Sequence, residues 1–109
     1  MTFEEYQKKS RKTLINQTPE RSFWYSTLGL LGETGEVAEK IKKLFRDDNG
    51  VLSESRREEI RNELGDVLWY LSQIATDCDL KLENVAKENI KKIFSRKARQ
   101  KITGDGDNR

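Results

Sequence analysis

A single proline, Pro19, stands in the whole chain, and apolar side chains recur every three or four positions rather than every second one. Proline is the strongest interrupter of a helix, and strict alternation is the mark of a half-buried strand. A chain with so little of either reads as helices separated by short turns. The expected fold class is all-α.

Local signals place four helices. Thr2 with Glu5 forms a capping box for a first helix running through about Leu14 and Ile15. Thr18-Pro19 supplies an N-cap and a first-turn proline for a second, long helix, which reaches Phe45 or Arg46 before Asp47-Asp48-Asn49-Gly50 turns the chain. Ser55 with Glu58 is another capping box, opening a third helix to about Thr76, closed by Asp77-Cys78-Asp79. A fourth helix begins near Leu82 and carries Val85, Ala86, Ile90, Ile93 and Phe94 at helical spacing. Residues 1–99 thus make the helical domain, and 100–109 form a polar tail too rich in Gly and Asp for helix. That tail is expected to be a mobile, solvated terminus, the alternative being that it folds over a neighbouring subunit.

At 109 residues the chain can bury only a modest core, so a partner subunit is expected, in a dimer or higher oligomer. Twenty-one Lys and Arg against nineteen Asp and Glu leave a net charge of +2, without a dominating field for nucleic acid. The run KKIFSRKARQK is nevertheless basic. It supports a competing reading, a non-catalytic helical interaction or nucleic-acid-binding module, although its only interleaved aromatic is Phe94. One cysteine, Cys78, excludes an internal disulfide and fits a reducing, cytoplasmic setting. No apolar run approaches a membrane span, and MTFEEYQKKS lacks the basic-then-apolar order of a signal peptide, so no membrane partner is expected.

Histidine is absent. Imidazole-based triads and the histidine-containing zinc and di-iron sites are therefore excluded, and any chemistry must use carboxylates, amines, hydroxyls and the metals they hold. Two stretches repeat one arrangement: Glu33-Thr34-Gly35-Glu36 in the second helix and Glu63-Leu64-Gly65-Asp66 in the third. At about 100° per residue, Leu30, Val37, Ile41, Leu44 and Phe45 form a stripe with Glu33, Glu36 and Lys40 on its shoulder. Ile60, Leu64, Val67, Leu71 and Ile74 form the matching stripe, with Glu59, Glu63, Asp66 and Tyr70 beside it.

Packed stripe to stripe, the two helices bring four carboxylates together at the rim of the core. That is unfavourable unless a proton or cation intervenes. A divalent ion such as magnesium meets the need, taking hard oxygen ligands and keeping open positions for phosphate. Single acid pairs also occur on solvated helix faces, relieved by Lys or Arg one turn on; two pairs bordering apolar stripes favour the metal site. Gly29, Gly32, Gly35 and Gly65 each cost roughly 1 kcal/mol against alanine inside a helix. Four of them imply helix backbones that pass near a neighbour or ligand.

The stretches Gly29–Glu39, GLLGETGEVAE, and Asn62–Leu71, NELGDVLWYL, resemble the paired ExxE and ExxD motifs of the MazG-like nucleotide pyrophosphohydrolases, relatives of dCTP pyrophosphatases and dimeric dUTPases. The resemblance spans roughly residues 20–99, since Asn89, Lys92 and Arg96 also match the family's NxxKxxxR pattern. It implies a four-helix bundle completed by homo-oligomerisation and hydrolysis of a nucleoside triphosphate to monophosphate and pyrophosphate. It further implies catalysis through magnesium, or manganese in its place, held by Glu33, Glu36, Glu63 and Asp66. Asn62 departs from the frequent second glutamate, leaving Glu39 or Glu59 as possible bases or as solvated charges.

Further substrate contacts are expected from Lys40, which either pairs with Glu36 or touches a phosphate, and from Asn89, Lys92 and Arg96 on the fourth helix, which the resemblance places beside the site. Trp24, with Phe23 and Trp69, offers a flat wall for a base, and Tyr70 lies on the acid shoulder. The base itself is not specified.

Overall fold

The computed structural model of the chain describes residues 1–15, 18 and 22–109. Four helices follow in order: α1 Phe3–Arg11, α2 Ser22–Asp47, α3 Glu54–Asp77 and α4 Leu82–Ala98, with no strand among the described residues. The all-α expectation holds. The predicted proline start of the second helix lies outside the described residues.

Each boundary has a local cause. Thr2 caps α1 by accepting the Glu5 amide at 3.1 Å, as expected. The helix nevertheless ends at Arg11, earlier than predicted. Lys12, Thr13 and Leu14 bond back only three residues, and the Thr13 hydroxyl donates to Ser10 O at 2.7 Å, winding the chain into tight turns. α2 stops where Asn49 and Gly50 turn left-handed (φ 54° and 75°) and Gly50 N donates to Leu44 O at 3.1 Å. The cap of α3 is Ser53, not Ser55: its hydroxyl accepts the Arg56 amide at 3.2 Å. Glu58, expected in the capping box, pairs with Arg61 instead.

α2 and α3 form an antiparallel hairpin, the largest helix contact in the molecule. α1 lies against the C-terminal half of α3, and α4 packs on α1 and α3. No described residue of α4 comes within 8 Å of α2, Cα to Cα. The Gln7 side chain locks the corner where α4 departs. Its amide nitrogen donates to Thr76 Oγ1 (3.1 Å) and Leu80 O (2.8 Å), while its oxygen accepts Leu82 N (2.9 Å) at the start of α4.

The interior departs from the predicted stripes. Ser10, Ser72 and Gln73 are buried and bonded to one another, with Ser10 Oγ 3.2 Å from Ser72 Oγ and 3.3 Å from Gln73 Nε2. The buried hydrophobic residues among those described are Leu44, Ala75 and Leu82. Ile41, Phe45, Leu64 and Leu71, expected on the facing stripes, are exposed, as are Val85, Ile90, Ile93 and Phe94 of α4. The cause is topological: within one chain α4 never closes over the α2–α3 hairpin, so the fourth wall of a bundle is missing. The tail folds back along α4.

Candidate metal centre between the long helices

Three cross-pairs fix the register of the hairpin: Gly29 faces Tyr70, Glu33 meets Asp66, and Lys40 reaches Glu63. As one residue number rises the other falls, as antiparallel packing requires. Because acids spaced i, i+3 share one side of a helix, this register brings the two motifs edge to edge.

Glu33, Glu63 and Asp66 each present a carboxylate oxygen, all within 4.8 Å of one another. Glu33 and Glu63 are half-buried and Asp66 is exposed. Glu36 is exposed and does not join the three oxygens, but its charge still reaches Glu33. Burial first, then repulsion from Asp66, Glu63 and Glu36, raises the Glu33 carboxyl above its ordinary value. Lys40 reaches the cluster with its charge, its Nζ 4.0 Å from Glu63 Oε1. The expected Lys40 pairing with Glu36 gives way to this bridge across the hairpin.

The donor set is made of hard oxygens with no nitrogen or sulfur ligand, and its members repel one another. Both features fit a divalent cation of the magnesium class.

Phenols border the cluster. Burial raises the Tyr70 hydroxyl first, followed by Tyr25 and then the charges of Glu33 and Asp66. Tyr6 of α1 is raised by burial and by Asp66. Sequence reasoning missed Tyr6, although it shares one side of α1 with Gln7 and Ser10, a spacing that marks the inward face. Tyr70 stacks edge-on with Trp69, ring centroids 5.0 Å apart, and Tyr25 lies 6.4 Å from Tyr70. Trp69 donates its indole N–H to Thr13 Oγ1 at 2.8 Å, so it is anchored to the end of α1. Trp24 and Phe23 are exposed at the start of α2, with Trp24 6.4 Å from Tyr25.

The remaining predicted residues fall elsewhere. Glu39 pairs with Lys42 and Lys43, and Glu59 with Arg56, so both are occupied on the helix surface. Asn89, Lys92 and Arg96 sit on α4, which has no described residue within 8 Å of α2, Cα to Cα. Lys92 and Arg96 are bound by Asp107 of the tail. Gly32, Gly35 and Gly65 have open space where a side chain would stand; only Gly29 of the four has a close neighbour, the Tyr70 ring. The expectation of close backbone approach at four glycines therefore holds at one within a single chain.

An all-α hairpin holding acids from two repeated motifs defines the class, and comparison with known proteins gives the family. Residues 22–100 match the family model described as the MazG nucleotide pyrophosphohydrolase domain, and the chain belongs to that family. It is also 48% identical over 85 residues to the Gene 37 protein of Mycobacterium phage L5, covering 78% of this chain and 75% of the phage protein. No solved structure matches the chain.

Proposed function

We propose that the protein hydrolyses a nucleoside or deoxynucleoside triphosphate to the monophosphate and pyrophosphate, using magnesium held by Glu33, Glu63 and Asp66, with Glu36 completing the set. The observation that carries this reading is the convergence of three carboxylate oxygens within 4.8 Å from two motifs thirty residues apart, in a chain of the MazG family. When bound, the ions supply Lewis-acid polarisation of phosphoryl oxygens and an activated water. The protein's own groups do the rest. The four acids fix where the ions sit, Lys40 offsets part of the negative charge, and Tyr6 and Tyr70 wall the centre on the side of α1.

Asn89, Lys92 and Arg96 can meet that site only from a second copy, and the surface area supports one. The accessible surface is 8170 Å², whereas a compact monomer of this mass exposes about 6,200 Å² by the usual scaling. The excess, about 2,000 Å², is of the size each subunit buries in an obligate homodimer. Exposed apolar residues on α2, α3 and α4 are available for such a contact. A homodimer or homotetramer that supplies the missing wall is part of this reading.

The test is incubation with a panel of ribo- and deoxynucleoside triphosphates plus magnesium, with products resolved by chromatography. Monophosphate and pyrophosphate in equal amounts are expected. Orthophosphate release, or no turnover of any triphosphate, would sink the reading.

A further inference from the structure

At the end of α4, Gln100 adopts a left-handed conformation (φ 57°) and Lys101 N donates to Arg96 O at 2.7 Å, so the chain reverses. Gly104 and Gly106, at φ 122° and 81°, make the further bends that most side chains resist. The returning segment is tied to itself by Arg109, which donates to Lys101 O (3.1 Å), Ile102 O (3.0 Å) and Gly106 O (2.6 Å), while Arg99 donates to Arg109 O (2.8 Å).

This loop delivers one carboxylate to two cations. Asp107 Oδ1 accepts from Lys92 Nζ at 3.2 Å and from Arg96 Nη2 at 3.3 Å; Arg96 Nη2 also donates to Asp107 O at 2.8 Å and to Gly106 O at 3.4 Å. The hydrogen bonds from Lys92 and then Arg96 hold the Asp107 carboxyl below its usual range. Arg96 is only 7% exposed, and its Nε is buried with no hydrogen-bond partner. Asp107 itself is 83% exposed. Two cations one helical turn apart, with donor capacity to spare, are thus occupied by a singly charged, solvent-facing carboxylate on a tether. Beside them a recess of about 400 Å³ is lined by Val85, Glu88, Asn89 and Lys92, leaving room for a larger anion.

We infer that Lys92 and Arg96 form a polyphosphate-binding pair and that Asp107 is a built-in competitor, occupying the pair until a more highly charged phosphoryl chain displaces it. This rests on the reading of Lys92 and Arg96 as triphosphate contacts, and adds that the tail sets the threshold for engagement. Polyphosphate carries several charges and several oxygens, so it can use the donors that Asp107 leaves unmet. The carboxylate has the advantage of the tether, which holds it at an effective concentration of order millimolar. Exposed ion pairs are individually weak, so the competition is modest and reversible.

The test is calorimetric titration of the full chain with inorganic tripolyphosphate in EDTA, where the acidic centre contributes no metal-bridged binding. Asp107→Asn is expected to tighten tripolyphosphate binding by roughly three- to tenfold. Asp105→Asn, which removes the same charge from a residue that makes no ion pair among the described residues, is expected to leave it unchanged. Equal affinities for wild type and Asp107→Asn overturn the inference, as does equal tightening by both variants, which would mean only a change in net charge. Because this readout needs no turnover, it stands apart from the hydrolysis assay. Failure of hydrolysis with the calorimetric difference intact removes the proposed reaction and leaves the tail's competition.

Discussion

The ring of Tyr70 packs against Gly29 so closely that a methyl group built on Gly29 would stand 2.6 Å from Tyr70 Cδ1 and nearer still to Cε1 and Cζ. One glycine in α2 thus seats a phenol of α3 beside Glu33 and Asp66. Ordinarily alanine stabilises a helix by roughly 1 kcal/mol relative to glycine. Here the ring body must move, and it is braced by Trp69 and Tyr25. Overpacking of this kind costs about 1–3 kcal/mol. Gly29→Ala is therefore expected to lower stability by about 1 kcal/mol net and to reduce turnover by displacing Tyr70. In a Tyr70→Ala background the same substitution should become stabilising, and denaturant melts of the four proteins of this cycle show whether the sign reverses.

The acid centre predicts a pH dependence of fixed sign. Burial and the neighbouring carboxylates raise the Glu33 carboxyl above 4.5, so the folded state disfavours its ionised form. Such a group contributes its stability below pH 4.5 and loses it as pH rises through the folded value. In EDTA, Glu33→Gln should melt higher than wild type at pH 7, with the difference closing as pH falls toward 4. Magnesium should raise the melting temperature of wild type and not of the variant. A Glu33→Gln protein less stable than wild type at pH 7 in EDTA would mean the carboxylates do not strain one another.

For the reaction itself, Glu63→Gln and Asp66→Asn are expected to lower kcat at least a hundredfold while circular dichroism stays helical, since both side chains lie at the rim and not in the interior. Glu36→Gln is expected to lose activity as well. Its stability in EDTA should change less than that of Glu33→Gln, because Glu36 stands apart from the three converging oxygens. Steady-state kinetics with thermal melts on the same preparations decides both points.

Much of this was legible in the residues. Helical periodicity gave four helices, and the repeated acid spacing placed Glu33, Glu63 and Asp66 on facing edges. Two things were not legible. Periodicity identifies an apolar face without saying which helix covers it: Ile90, Ile93 and Phe94 recur at helical spacing, yet they are exposed and α4 stays off α2. Polar burial carries no hydropathy signal: Ser10, Ser72 and Gln73 form the interior because their hydrogen bonds satisfy one another across α1 and α3. The α3 cap slipped because Ser53 and Ser55 are equivalent in type, and it is Ser53 that stands extended before the helix and accepts Arg56 N.

Gln7 joins α1, α3 and α4 through three hydrogen bonds, to Thr76, Leu80 and Leu82. Each contributes about 1 kcal/mol net, and an abandoned Leu82 amide adds to the loss. Gln7→Ala should destabilise the chain by about 2–4 kcal/mol, with the amides at the start of α4 losing protection first in hydrogen exchange. If the loss were spread evenly along all four helices, Gln7 would be one contact among many and not the anchor of α4.

The three glycines that face open space give a test of assembly. Taken alone, the chain predicts that Gly32→Ala, Gly35→Ala and Gly65→Ala each gain up to about 1 kcal/mol, since a methyl group there meets nothing within 4 Å. A second copy covering the exposed faces of α2 and α3 predicts the opposite at whichever glycine it approaches. There a methyl group would hold two helices apart, weaken association and lower the melting temperature in a concentration-dependent way. Sedimentation of wild type should show a dimer or tetramer at micromolar concentration, and at least one of the three variants should shift toward monomer. A monomeric wild type with all three alanines stabilising would leave the excess apolar surface without a partner copy, and would place Asn89, Lys92 and Arg96 out of reach of the carboxylates.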